Sequence, residues 1–191
     1  MRPRHNGGMS EPYRVMTVCT GNICRSPMAE IVLRDRFEAA GLGGRVVVDS
    51  SGVSDEERGH PIDPRARAVL LERGYPVDDL HRARRVERGD VAQRDLVLAM
   101  TAQHARALRR LADGSAGADG EGSDVADRVR MYRSFDPAAP RVEPGGSESA
   151  LDIADPWYGG PRDFEECLDE VEAAADAIVD HVRSELEARS T

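Results

Sequence analysis

Lysine is absent from this 191-residue chain, and all 26 basic residues are arginine. That absence excludes a lysine-dependent phosphate loop of the nucleotide-hydrolase kind, and it excludes a lysine Schiff base to pyridoxal. Cysteine is sparse: Cys19, Cys24 and Cys167 are the only three, none in paired CxxC elements, and the five histidines are scattered. No zinc pattern results, and no metal or organic cofactor is expected. No apolar stretch near the start reads as a secretory signal, so the cysteines read as reduced and the protein as cytoplasmic, with signal-less export left open. No segment is long and apolar enough to span a bilayer. Positive charge is also in deficit: 35 acidic residues against 26 basic give a net charge of −9, which argues against a general binder of nucleic acid or anionic membrane.

What is present suits one compact domain, with 40% hydrophobic residues in alternating patterns. Residues 13–18 read as a first strand, followed by a helix over 27–40 that carries Met28, Ile31, Val32 and Phe37 and stops at Gly41. Residues 45–49, with three consecutive valines, predict a second strand buried on both faces. Asp63 and Pro64 form a cap and first residue for a helix ending at Gly74. A third strand over 95–100, a helix over 101–112 and a weaker strand over 128–132 follow. The last segment, 163–189, spaces Phe164, Leu168, Val171, Ala175, Ile178, Val182 and Leu186 three or four apart, an amphipathic helix. Such alternation predicts an α/β fold, a parallel sheet with helices on both faces. Residues 1–12 lack periodicity and are expected to be a disordered extension; 113–124, made of Gly, Ser, Ala, Val-free acidic sequence, is expected to be a flexible insertion in the 13–191 domain.

The chemistry concentrates between the first strand and the first helix, in Cys19-Thr20-Gly21-Asn22-Ile23-Cys24-Arg25-Ser26. A strand that turns through a glycine into a helix aims backbone N–H groups and the positive end of the helix dipole at one small volume. A phosphate dianion fits there. Arg25 can add two parallel N–H contacts, and the same positive field favours the thiolate form of Cys19. Gly21 and Asn22 are residue types that tolerate positive φ in such a turn.

This loop, with Pro27-Met28-Ala29-Glu30 after it, resembles that of the low-molecular-weight protein tyrosine phosphatases. Further stretches carry the resemblance: Asp49-Ser50, Asp63-Pro64-Arg65, His81-Arg82-Ala83-Arg84, 95–100, Ser134-Phe135-Asp136-Pro137 and Asp155-Pro156-Trp157-Tyr158. The resemblance implies a four-stranded parallel sheet in order 2-1-3-4 with the phosphate-binding loop after strand one. It implies that Cys19 is the nucleophile, that Arg25 and the loop residues Thr20, Gly21, Asn22, Ile23, Cys24 and Ser26 hold the phosphoryl group, and that Asp155 is the general acid. It implies that Ser26 hydrogen-bonds the sulfur and that Ser50 and His81 help Asn22 support the loop. The substrate implied is a phosphotyrosine protein or a small aryl phosphate, and the chain is read as a monomer.

Several assignments have plainer competitors. Asp63-Pro64 and Asp136-Pro137 offer the same dipeptide as Asp155-Pro156, and Asp-Pro often only marks a turn; the family pattern selects Asp155. Trp157 and Tyr158 wall an aromatic pocket, or merely pack on the loop. Cys24 forms a reversible protective disulfide with Cys19, as the family implies, or is filler. Cys167 falls with Val171, Ala174 and Ile178 as core. Where the family commonly carries an aromatic beside the pocket, Ser54-Asp55-Glu56-Glu57 offers acid, which would disfavour acidic peptides. Protein-arginine phosphatases are similar too, at 95–101, where Thr101 follows Met100, and at Gln103-His104; apolar Ile23, where those relatives carry threonine, points to an aryl substrate. An arsenate reductase of the same fold needs more relay cysteines than Cys24 and Cys167 provide, and a catalytically dead phosphate-binding module is at odds with an intact Cys19, Arg25 and Asp155 set.

Overall fold

The computed structural model describes residues 11–113 and 122–191. Strand β1 (Tyr13–Cys19) leads through the loop into helix α1 (Arg25–Ala39), and β2 (Val46–Gly52) follows. Helices α2 (Pro64–Glu72) and α3 (Arg88–Ala92) precede β3 (Leu96–Ala99); α4 (Ala102–Asp113), α5 (Gly122–Asp127), β4 (Val129–Met131) and the long α6 (Pro161–Ala188) complete the chain. The strands pair in parallel, in the order β2-β1-β3-β4. The α/β class and the order expected from the sequence both hold.

Alternation along the strands divides the core in two. Val15 of β1 and Leu96 and Leu98 of β3 face a layer formed by α1, α2 and α6, with Met28, Leu33, Phe37, Leu70, Phe164 and Ile178. Met16, Val18, Val97 and Ala99 face the other way, onto Val91 of α3 and Ala105 and Leu108 of α4. The central strand is therefore apolar on both sides, and its carboxyl end opens where an α/β sheet binds ligands.

The second strand departs from expectation. Val46 and Val48 are buried, but Val47 is 44% exposed. Being at the sheet edge, β2 has one face under α1, while on its other face Val47 meets solvent and Asp49 meets Arg84 and Arg94, at 2.8 and 2.6 Å. The end of the expected insertion lies among the described residues. Residues 122–124 open α5, where Asp124 pairs with Arg128 one turn on. Residues 114–121 of that stretch, and 1–10 of the expected N-terminal extension, lie outside the described residues. The extent of the domain and the character of both segments thus stay as expectations.

Candidate active site

Cys19 ends β1 at a pairing with Gly52 of β2, and the chain then turns over β2 before entering α1. Glycine at 52 is required by that crossing: a Cβ there would lie 2.4 Å from the Thr20 carbonyl oxygen and 3.1 Å from Asn22 N. Asn22 takes φ of +59°, the only positive value for a non-glycine among the described residues. Its polar atoms are all held. The Nδ2 amide donates to Ser26 Oγ and Ser50 Oγ, both at 2.9 Å, and Oδ1 accepts from Arg84 N at 3.0 Å. The Asn22 carbonyl accepts from His81 Nε2 at 2.8 Å, which fixes that nitrogen as the protonated one. Ser50 in turn donates to Glu30, a carboxyl that burial pushes above its usual range although the Arg34 charge opposes this. Ser50 and His81 thus stand behind the loop rather than in the pocket, with Glu30 and Arg84 as additional supports.

The loop encircles the Cys19 sulfur. Asn22 N donates to it at 3.3 Å, and Ser26 Oγ lies 3.1 Å away. The Ser26 proton has two acceptors within reach, that sulfur and the Ser51 carbonyl at 3.2 Å. A thiolate draws the proton to sulfur, and a thiol releases it to the carbonyl.

Arg25 is 4% exposed and opens α1. Its NH1 donates to the Ile153 carbonyl at 3.0 Å, and NH2 meets Asp155 Oδ2 at 2.7 Å and Thr20 Oγ1 at 3.4 Å. Arg25 Nε is buried with no hydrogen-bond partner among the described residues. A buried guanidinium with an orphaned donor is prepared for an acceptor such as a phosphoryl oxygen. Asp155 Oδ1 accepts from Trp157 N at 3.2 Å, so a short turn (Pro156–Tyr158) holds the carboxylate in place.

Of the three Asp-Pro dipeptides, only that of Asp155 lines the cavity that Cys19 lines. Asp63 caps α2 by accepting from Arg65 N and is gripped by the Arg65 guanidinium; Asp136 accepts from Ala138 N in a surface turn. Arg65 also reaches the Trp157 and Gly159 carbonyls at 3.2 and 3.1 Å and lies 5.5 Å over the Trp157 ring. It pins the aromatic turn to α2. Trp157, at 39% exposed, and Tyr158, at 92%, line a cavity of about 120 Å³ with Cys19, Thr20, Gly21, Ile23, Cys24, Arg25 and Asp155. Glu56 and Glu57 complete the wall.

Cys24 and Cys167 are buried and unpaired, and burial pushes both thiols up, Cys167 to about 12. Cys167, on the buried face of α6, packs in the core, as expected. Sequence reasoning gave no site role to Glu30, Gly52, Arg65, Arg84 or His104. His104 is 3% exposed with Nε2 2.9 Å from Thr20 Oγ1. Burial, helped by the Arg25 charge, pulls its imidazole down to about 4, so it is neutral near pH 7.

Fold and loop together define an α/β protein that presents a cysteine sulfur, an arginine and a carboxylate to one small cavity. The chain belongs to the low molecular weight phosphotyrosine protein phosphatase family, whose sequence model matches residues 14–188. It is 47% identical over 178 residues to a low molecular weight protein-tyrosine-phosphatase of Streptomyces coelicolor, covering 93% of this chain and 98% of that protein. It is 42% identical to the low molecular weight protein-tyrosine phosphatase A of Mycobacterium tuberculosis, covering 93% and 96%. Among solved structures, a protein tyrosine phosphatase from Entamoeba histolytica superposes with a TM-score of 0.76 at 25% identity, over 90% of this chain and 97% of that one. The YwlE arginine phosphatase superposes at 0.68 with 26% identity, over 89% and 95%.

Proposed function

We propose that this enzyme hydrolyses phosphotyrosine through a cysteinyl-phosphate intermediate, with Cys19, Arg25 and Asp155 as its catalytic residues. The observation that carries the proposal is the convergence of Asn22 N and Ser26 Oγ on the Cys19 sulfur, in a cavity also lined by the buried Arg25, whose NH2 is hydrogen-bonded to Asp155. Cys19 sulfur attacks phosphorus as the P–O bond to the phenol breaks, and the Asp155 carboxyl gives its proton to the departing oxygen. A water then attacks phosphorus, Asp155 takes its proton, and the S–P bond breaks. The Arg25 guanidinium and the N-terminal end of α1 hold the three equatorial oxygens throughout.

Trp157 and Tyr158 supply the apolar wall for the phenyl ring, and Ile23, lining the same cavity, adds apolar surface at its base. Glu56 and Glu57 give the rim a negative charge that disfavours acidic residues beside the phosphotyrosine. Arginine dephosphorylation is the second reading, and likeness to the YwlE arginine phosphatase supports it. A guanidinium leaving group needs polar help where Ile23 stands, which favours tyrosine. The family's reversible Cys19–Cys24 disulfide remains part of the proposal, as do a monomeric state and a cytosolic setting, which suits three unpaired cysteines. Parallel assays on phosphotyrosine, phosphoarginine and phosphoserine peptides and on arsenate test the reading. Turnover of phosphotyrosine at least tenfold faster than of the others is expected, and faster release from phosphoarginine or reduction of arsenate would overturn it.

A further inference from the structure

Thr20 and His104 form a pair that the reaction scheme above leaves unused. Their side chains meet at 2.9 Å although 84 positions separate them, one on the phosphate loop and one in the first turn of α4. His104 Nδ1 is buried and has no partner among the described residues. A proton on Nδ1 would be an orphaned buried donor, the rarer and costlier defect; a proton on Nε2 leaves only an unpaired acceptor there. The Nε2–H tautomer therefore prevails, and His104 donates to Thr20 Oγ1.

The second neighbour of that oxygen is Arg25 NH2 at 3.4 Å, and a guanidinium can only donate. A threonine hydroxyl has two lone pairs and one proton. With both lone pairs facing donors, its proton is directed elsewhere, and Thr20 lines the same cavity as Cys19 and Arg25. We propose that Thr20 Oγ1 donates this hydrogen bond to an oxygen of the bound phosphoryl group, and that His104 is the positioning residue that turns the hydroxyl into a donor. Thr20 is thereby a further catalytic residue, adding a side-chain donor to the backbone amides and Arg25. The neutral state of His104 suits the role, since a second cation beside Arg25 would compete for the same anion.

The inference rests on the phosphatase reading, and orthovanadate separates the two. Inhibition by vanadate and kcat/KM on an aryl phosphate are measured for wild type, Thr20→Val, Thr20→Ser, His104→Leu and the Thr20→Val/His104→Leu double variant, with circular dichroism as a check on folding. Loss of a hydrogen bond to a charged group predicts vanadate binding weaker by about ten- to a hundredfold in Thr20→Val, with kcat/KM falling in parallel. Thr20→Ser, which keeps the hydroxyl, stays within about threefold of wild type by the same reasoning. His104→Leu weakens binding when Thr20 is present and adds no further loss in the Thr20→Val background, a coupling that a merely structural histidine would not produce. Vanadate binding by folded Thr20→Val equal to wild type, or an equal His104→Leu penalty in both backgrounds, overturns the Thr20 proposal alone. Wild type that neither binds vanadate nor turns over the aryl phosphate overturns the phosphatase reading with it.

Discussion

Asp155 Oδ2 lies 2.7 Å from Arg25 NH2, joining the carboxylate of a short aromatic turn to a guanidinium that is almost fully buried. The side chains are 130 positions apart, brought together because Ile153 N bonds the Met100 carbonyl at the end of β3 while the Ile153 carbonyl accepts from Arg25. A phosphoryl group that takes Arg25 NH2 must compete with Asp155 for it. In the proposed reaction the same contact keeps the carboxyl near the leaving oxygen and opposes anion binding.

Substituting Asp155 is therefore expected to move rate and affinity in opposite directions. Asp155→Asn should lower kcat on phenyl phosphate by about 10²–10⁴, and by less on a substrate whose leaving group needs no proton. Asp155→Ala should bind inorganic phosphate several-fold more tightly, because Arg25 loses an internal competitor and the incoming anion loses a like charge. Steady-state kinetics with both substrates and phosphate inhibition constants check this; equal slowing on both substrates would remove Asp155 from the acid role.

Gly52→Ala is expected to damage the loop from outside the pocket. Its new Cβ would press on the backbone of Thr20 and Asn22, which cannot rotate away as a side chain can. A loss of about 1–3 kcal/mol in stability follows from overpacking of this kind. A fall of at least about tenfold in kcat/KM should accompany it, since a small displacement of the loop misaligns Cys19 and Arg25. Urea unfolding and kinetics on the same preparation test both, and unchanged kinetics would show that the crossing tolerates a methyl group.

The buried His104 predicts a specific pH dependence of stability. Its folded pKa of about 4 lies below the ordinary 6.5, so the unfolded chain binds the proton more readily across that window. The associated stability is complete above pH 6.5 and is lost as pH falls toward 4, amounting to up to roughly 3 kcal/mol at the bottom of the window. Unfolding free energies of wild type and His104→Asn from pH 7.5 down to 4.5 isolate this contribution. The wild-type curve should fall more steeply, and parallel curves would contradict it.

The strands, the main helices and the loop were legible in the sequence because each rests on local pattern. Continuous apolar runs mark β1 and β3, which are buried on both faces, and a three-to-four spacing marks α6. Short helices were not legible. Helix α3 has five residues, and the Asp90 carboxylate in its first turn accepts from Glu87 N at 2.8 Å. Nor could 45–49 reveal that it lies at an edge, since three valines read alike in a central and an edge strand. In the site, Cys19 and Arg25 are fixed by spacing within one loop, whereas Gly52, Arg65 and His104 act across 33, 92 and 84 positions, through contacts that no periodicity encodes. With 26 arginines in the chain, nothing local distinguishes Arg65, which grips Asp63 and the aromatic turn, from one that meets only solvent.

The proposed reaction passes through a covalent bond from phosphorus to the sulfur of Cys19. Rapid quenching during turnover of a ³²P-labelled phosphotyrosine peptide, followed by peptide mapping, tests it most directly. Label recovered on Cys19 in wild type, increased in Asp155→Ala when loss of the base slows hydrolysis more than loss of the acid slows formation, and absent with activity in Cys19→Ser, is the predicted result. Turnover with label on another residue, or undiminished hydrolysis by Cys19→Ser, would contradict it.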